Sequence, residues 1–295
     1  MLFDQGRYWW FGEHKVEGKK GNNAWVGVHC YSSADLYNWK DEGIALKVSE
    51  DSASDITAGC ILERPKVIFN RQSGKYVMWF HLELKGQGYK AARSGVAVAD
   101  RVAGPYSFVE SMRPNGEMAR DMTLFVDDDG KAYHFYASED NATMVISELS
   151  GDYLKPSGRF VKILNGRFRE APAVCKHRGK YYLITSDCTG WAPNAAGVAV
   201  AESIWGPWKE SGNPCQGAVS ETGLTFRSQS TFIQPVVGRP GAFIFMADRW
   251  NPGNAIDGRY VWLPIMWEND MPAIRWMHEW NLDVFRYDQS GTGGR

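Results

Sequence analysis

Four polar side chains in this chain are of the right type and spacing to share one piece of chemistry: Glu63, Asp121, Glu170 and Gln229. Each heads an apolar run, and each lies about ten residues before a glycine that opens an aromatic strand. Cleaving an acetal needs a group that protonates the leaving oxygen and a second group acting at the opposite face of the carbon. Glu170 sits in Arg169-Glu170-Ala171-Pro172, where apolar neighbours and a proline imply a fixed, partly desolvated strand entry. Desolvation raises a carboxyl pKa, as a general acid requires. A second carboxylate, Asp121 in Arg120-Asp121-Met122-Thr123, raises it further if the two are close. Glu63 lies beside Arg64 and Lys66, whose charges would hold it ionised.

The positioning elements follow from the glycines. Five segments share one pattern of glycine, a basic or small residue, then an aromatic-rich alternating run. They start at Gly6, Gly74, Gly130, Gly179 and Gly241, roughly 50–70 residues apart, the period of a β-propeller blade. Polar turns such as Arg71-Gln72-Ser73-Gly74 and Asp127-Asp128-Asp129-Gly130 precede them, which is tight-hairpin chemistry. Third strands also match: Gly95-Val96-Ala97-Val98-Ala99 and Gly197-Val198-Ala199-Val200-Ala201 each run into a Gly-Pro-aromatic turn. No segment keeps a 3.6-residue apolar period over three turns. The reading is an all-β, five-bladed β-propeller in which equivalent first strands line one hub and bring the four polar residues together. The first blade is expected to lack its innermost strand, because its aromatic strand already begins at Gly6; residues 2–5 form at most a stub there. Residues 1–288 are expected as a single domain and 289–295, ending Gly291-Thr292-Gly293-Gly294-Arg295, as a flexible tail.

Composition narrows the function classes. Formal net charge is −1, so neither nucleic acid nor anionic lipid is drawn in by charge. Apolar runs are strand-sized and interrupted, so no transmembrane helix is expected. No signal peptide is read ahead of the first repeat. Five cysteines at irregular spacing, Cys30, Cys60, Cys175, Cys188 and Cys215, form neither a disulfide framework nor a zinc pattern, and read as small buried residues. The acidic turn 127–129 lacks the further ligands of a calcium loop and reads as a hairpin. His81, His134 and His177 show no metal spacing and are assigned core or surface places. No metal and no cofactor are expected. Tyr89 and Trp191, in loops, are candidates for stacking on a sugar face.

With these residues in place, the chain resembles glycoside hydrolase family 43, a family of five-bladed propellers. The likeness rests on Ser33-Ala34-Asp35-Leu36-Tyr37-Asn38-Trp39, Glu63-Arg64-Pro65-Lys66-Val67, Arg120-Asp121 with Asp127-Asp128-Asp129-Gly130, Arg169-Glu170-Ala171-Pro172 and Ser228-Gln229-Ser230-Thr231. The last of these and Tyr8-Trp9-Trp10-Phe11-Gly12-Glu13-His14-Lys15 resemble the exo-β-1,3-galactanase subgroup. The resemblance implies an inverting hydrolase with Glu170 as acid and Asp121 as modulator of its pKa. It implies that Gln229 positions the water in place of the carboxylate base of other members. Glu13, Glu63, Tyr89, Asn141 and Thr189 would contact the terminal sugar. The substrate partner is then an oligo- or polysaccharide, with galactose released from the non-reducing end of β-1,3-galactan and an extracellular or periplasmic location. Two alternatives stay open: α-L-arabinofuranosidase or β-xylosidase action, and a non-catalytic sugar-binding propeller. The oligomeric state is not legible.

Overall fold

The structure, a computed structural model, describes the backbone of residues 1–291 and the side chains of residues 1–286. Residues 292–295 of the expected tail lie outside the described residues. The observed chain is all-β, built as five sheets in sequence order, the five blades that the repeats predict. The first holds β1 (Leu2–Asp4), β2 (Arg7–His14), β3 (Gly27–Ser33) and β4 (Lys40–Lys47). The second holds β5 (Ile61–Asn70), β6 (Lys75–Glu83), β7 (Arg93–Ala99) and β8 (Ser107–Met112). The third holds β9 (Met122–Val126), β10 (Ala132–Ser138), β11 (Thr143–Leu149) and β12 (Pro156–Ile163). The fourth holds β13 (Arg169–His177), β14 (Lys180–Asp187), β15 (Gly197–Ala201) and β16 (Lys209–Glu210). The fifth has β17 (Cys215–Gln216), β18 (Gln229–Pro235), β19 (Phe243–Arg249), β20 (Arg259–Glu268) and β21 (Met271–Arg275), with β17 parallel to β21. Among the described residues one α-helix occurs, the four-residue α1 (Val219–Thr222).

The glycine repeat has one physical cause. Gly6, Gly74, Gly130, Gly179 and Gly241 all have φ between 69° and 81°, in the left-handed region that glycine enters without strain. Each closes the turn ahead of the aromatic second strand of its sheet. At the acidic turn, the N–H of Gly130 donates to the carbonyl of Asp127 at 2.9 Å and the N–H of Lys131 to the Asp129 carboxylate, so this is the hairpin turn that was expected. The two matched Gly-Pro turns also share their closure. Tyr106 Oη donates to the carbonyl of Val102 at 2.9 Å, and Trp208 Nε1 to that of Ile204 at 3.0 Å.

The first sheet has a first strand where its absence was expected, and it is the stub that residues 2–5 were allowed at most: β1 pairs antiparallel to β2, Leu2 opposite Trp9 and Asp4 opposite Arg7. The stub is anchored by its side chains too, with Tyr76 Oη donating to Asp4 at 2.5 Å.

The described chain divides into two compact units, Met1–Glu170 with Asn251–Asp257, and Ala171–Trp250 with Gly258–Arg295. In the first unit, strand β6 shows how a sheet is packed on both faces. Successive side chains alternate sides. Met78, Phe80 and Leu82 enter a core shared with Val28, Cys30 and Leu46. Val77 and Trp79 enter a second core shared with Leu124, Tyr136 and Val145. The second unit has its own core, where Tyr182 and Ile184 meet Phe245, Leu263 and Ile274. Cys30, Cys60, Cys175 and Cys215 are buried free thiols, as the composition suggested, and Cys188 is exposed. Burial pushes the Cys30 thiol up to about 12, with the Glu42 and Asp41 charges adding to it.

Candidate active site

The polar residues singled out in the sequence occupy one kind of place. Glu63 is the third residue of β5, Glu170 the second of β13 and Gln229 the first of β18, while Asp121 immediately precedes β9. Two of them share a local device. Glu63 is followed by Arg64 at φ 56° and Pro65; Glu170 is followed by Ala171 at φ 54° and Pro172. In β5 the left-handed residue makes a bulge, because the ladder to β6 slips by one residue between Glu63 and Lys66. Bulges re-aim side chains beside functional sites. In β18 the ladder also slips just after the site residue, between Ser230 and Phe232.

In the first unit the bulge turns Glu63 and Arg64 to separate partners. Glu63 Oε2 lies 3.0 Å from His81 Nδ1, and its Oε1 accepts from Tyr89 Oη at 2.7 Å. Asn22 Nδ2 in turn donates to Tyr89 Oη at 2.6 Å. Burial raises the Glu63 carboxyl, but the hydrogen bond and charge of His81, with Lys15 and Tyr89, outweigh it and hold the group well below the usual carboxylate range. Burial likewise opposes a charged His81, while Glu63 and Glu83 raise its pKa above the ordinary imidazole value. The Tyr89 phenol is pushed up by burial first, then by the Glu63 charge. Arg64 Nε, itself buried, lies 3.2 Å from Asp121 Oδ1. The role expected of Arg64 and Lys66, keeping Glu63 ionised, therefore falls first to His81. The bulge sends the Arg64 guanidinium to Asp121, and Lys66 Nζ donates to the carbonyl of Arg64 at 3.3 Å.

Glu13 reaches the same cluster from β2. Its Oε1 accepts the backbone N–H of Arg64 at 2.9 Å, and its other oxygen pairs with Lys15. Donor atoms of Glu63, His81 and Asp121 lie within 4.8 Å of one another. Both carboxylates have a basic side chain of the protein against them, His81 on Glu63 and Arg64 on Asp121. Glu170 takes a bond from a neutral side chain. Asn141 Nδ2 donates to its Oε2 at 3.0 Å. Asn141 stands in the β10–β11 turn at φ 68°, after Glu139 and Asp140, which are also left-handed. Asn tolerates that conformation better than most residues. Arg120 steadies the turn through Asp140, at 2.7 Å.

The second unit carries Gln229, Thr189 and Trp191. Gln229 Nε2 donates to Ser186 Oγ of β14 at 2.9 Å, and Gln229 pairs with Asp248 across the β18–β19 ladder. A small concavity is lined by Trp191, Asn194, Arg227, Gln229, Asp248 and Trp250 among others. Trp191 is half exposed and packs edge-on to Trp250, ring centres 5.1 Å apart. Thr189 lies on the loop beside it, with Oγ1 accepting from Asn194 at 2.7 Å and donating to the carbonyl of Ala192.

Glu63, Asp121, Tyr89 and Glu13 are thus gathered in one cluster of the first unit, and Gln229 with Trp191 in one concavity of the second. His81 is buried, within the core-or-surface placement, but its contacts with Glu63 and Glu83 were not read from the sequence, nor was the part of Ser186. His81 stands opposite Glu63 across the β5–β6 hairpin only because of the bulge at Arg64. His134 does fit the core assignment. It is packed between Trp79 and Tyr136, and burial lowers its pKa to about 3. His177 is stacked on Trp267 at 3.8 Å. The Ser33–Trp39 segment is a turn held by Asp35, which accepts the N–H groups of Tyr37 and Asn38.

The fold defines the class, a five-bladed β-propeller. Residues 4–272 match the profile of Glycosyl hydrolases family 43, and the chain belongs to that family. A solved family 43 β-1,3-galactosidase, crystallised with galactodeoxynojirimycin, is 47% identical, with a TM-score of 0.92 over 95% of this chain and 94% of its own. The exo-β-1,3-galactanase of Phanerochaete chrysosporium, solved with β-1,3-galactotriose, is 35% identical with a TM-score of 0.83, over 94% of this chain and 61% of its own. Among curated proteins, a xylan 1,3-β-xylosidase from a Vibrio species is 25% identical over 84% of this chain and 51% of its own length. The chain spans about half the length of that relative. Among the described residues no helix is long and apolar enough to cross a membrane.

Proposed function

We propose that this protein is an exo-acting, inverting glycosidase that releases galactose from the non-reducing end of β-1,3-galactan, and that residues 1–288 form its single catalytic domain. The observation that carries the reading is the 47% identity, over nearly the whole of both chains, to a β-1,3-galactosidase. The chemistry of the named residues agrees with it. Glu170 is the general acid and protonates the leaving glycosidic oxygen. The Asn141 amide on Oε2 is neutral, so it fixes the plane of the carboxyl without adding a charge that would strip its proton. Asp121 is the carboxylate that modulates it. Gln229 aims the attacking water: with Nε2 given to Ser186, the amide is turned by that bond and its carbonyl end is the acceptor for a water proton. An amide is too weak a base to remove that proton alone, so its part is orientation.

Glu63, Glu13, Tyr89, Asn141 and Thr189 contact the terminal sugar in this reading, and Trp191 offers an aromatic face. An ionised Glu63 is an acceptor for sugar hydroxyls, and charge-assisted hydrogen bonds are the stronger class. The polysaccharide is met outside the cytoplasm. A second reading, β-xylosidase or α-L-arabinofuranosidase action, is favoured by the curated relatives, which include a xylosidase/arabinosidase of Humicola insolens at 24% identity. One assay separates the readings. The protein is incubated with β-1,3-galactan, xylan and arabinan oligosaccharides, and the anomer of the first released sugar is followed by NMR. Release of α-galactose from the galactan alone is the expected outcome. Xylose or arabinose instead, β-galactose first, or binding without any product would each remove the proposal.

A further inference from the structure

His81 is almost fully buried, and both of its ring nitrogens face carboxylates. Nδ1 lies 3.0 Å from Glu63 Oε2, and Nε2 lies 2.9 Å from Glu83 Oε1. Glu83 is completely buried, and its other oxygen accepts the N–H of Ala92 at 2.8 Å. A neutral imidazole has one N–H and satisfies one such neighbour; an imidazolium has two and satisfies both. A buried carboxylate without a compensating charge is strongly disfavoured. Two carboxylates on one ring therefore select the doubly protonated form.

We propose that His81 is a positioning residue for sugar binding: clamped as an imidazolium between Glu83 and Glu63, it fixes Glu63 Oε2 and presents Oε1, beside the Tyr89 hydroxyl, to a hydroxyl of the terminal sugar. This rests on the reading of Glu63 as a sugar contact. The chain of command runs from Ala92 and Glu83, which touch nothing in the substrate, through His81 to the residue that does. The other charged groups beside the pair include Lys15 and Asp121, and Arg64 is paired with Asp121. Lys15 acts in the same sense as His81 by favouring an ionised Glu63; Tyr89 donates to the ionised oxygen. When pH rises far enough to remove the His81 proton, Glu63 and Glu83 lose the cation between them, and sugar affinity falls on the alkaline side.

The first test is the ring ¹⁵N spectrum of histidine-labelled protein, with the His81 signals assigned by their loss in His81→Gln. Both nitrogens are expected to carry protons at pH 7 and to keep them at least one unit above the ordinary histidine value of about 6.5. A neutral ring at pH 7 overturns the proposal. The second test is Glu83→Gln, which keeps the shape and removes one of the two charges. The alkaline limb of the KM profile and the His81 titration are both expected to move down by roughly one unit or more, with kcat unchanged at the acid end. A folded Glu83→Gln protein whose limb stays in place overturns it as well. Glu63→Gln separates this from the reading beneath it. An unchanged KM there removes Glu63 from the sugar site, whatever the His81 spectrum shows. A raised KM beside an ordinary His81 titration removes the clamp alone.

Discussion

Glu63 and Glu170 stand on the same backbone device, a carboxylate followed by a left-handed residue and a proline near the start of a first strand. Their surroundings differ. Glu63 is buried against His81 and Tyr89, with Lys15 adding its charge. Glu170 is half-buried and takes a hydrogen bond from the neutral amide of Asn141. A cation keeps a carboxyl ionised, while a neutral donor leaves its proton state to burial and to nearby anions. One repeated element thus supplies a permanent acceptor in one blade and, in the proposed mechanism, a proton donor in another. The blade sets where a carboxyl stands; its immediate neighbours set what it does.

The strongest way to break this contrast is Glu170→Gln. Loss of a general acid is expected to lower kcat on natural galactan by about 10²–10⁴-fold with little change in KM. Steady-state kinetics on galacto-oligosaccharides check it, and near-normal turnover would take the acid role from Glu170. The matching change, Glu63→Gln, is expected to act on KM instead. Removing a charge-assisted hydrogen bond is worth about 1.5–3 kcal/mol, a rise of roughly 10–150-fold, with kcat nearly intact. If both variants lose kcat alike, the two carboxyls do not divide the work as argued.

The scaffold half of the contrast was legible in the sequence. Turn glycines and alternating strands are local signals, so the five sheets and the leading positions of Glu63, Glu170 and Gln229 followed from pattern. The neighbour half was not. Counting back from the Asn70–Lys75 pair puts Leu82 opposite Glu63, and only the extra residue at Arg64 brings His81 there. A bulge depends on one residue's left-handed backbone, which Arg64, with its Cβ, does not announce. The register of the stub strand of the first sheet is a similar case, since three residues carry too short an alternation to fix a pairing. Arg64 was seen as a cation beside Glu63, yet the pairing with Asp121 joins two blades and has no trace in sequence spacing.

The buried pair also leaves a mark on stability, smaller than the catalytic effects. Glu63 is depressed from its usual 4.5, so its contribution is complete above that pH and lost as pH falls through its folded value. His81 is raised from 6.5, so its contribution is complete below that pH and lost as pH rises through its folded value. The two overlap most fully between these ordinary values. Thermal unfolding of the wild type is expected to show its highest midpoint across that interval, and His81→Gln to flatten the alkaline decline. An alkaline decline as steep as in the wild type would mean that other groups govern it.

Asn141 gives the finest test, because its amide is a neutral donor on the Glu170 carboxyl. Asn141→Gly keeps the left-handed backbone and deletes the amide; the lost bond to Glu170 is worth about 1 kcal/mol or roughly fivefold in kcat, while the lost sugar contact is read separately in KM. Asn141→Ala deletes the same bond but adds the strain of a Cβ at φ 68°, so its kcat should match that of the glycine variant while its unfolding midpoint is lower. Asn141→Asp goes the other way and replaces the neutral donor with an anion, as if to invert the environment of Glu63. A like charge disfavours an ionised Glu170 and raises its pKa, so the acid stays protonated to higher pH. The alkaline limb of kcat/KM is expected to move up in that variant, even as the peak rate falls with the lost donor. A limb that stays fixed while the rate drops would show that the charge beside Glu170 does not set its proton, and the contrast with Glu63 would reduce to geometry.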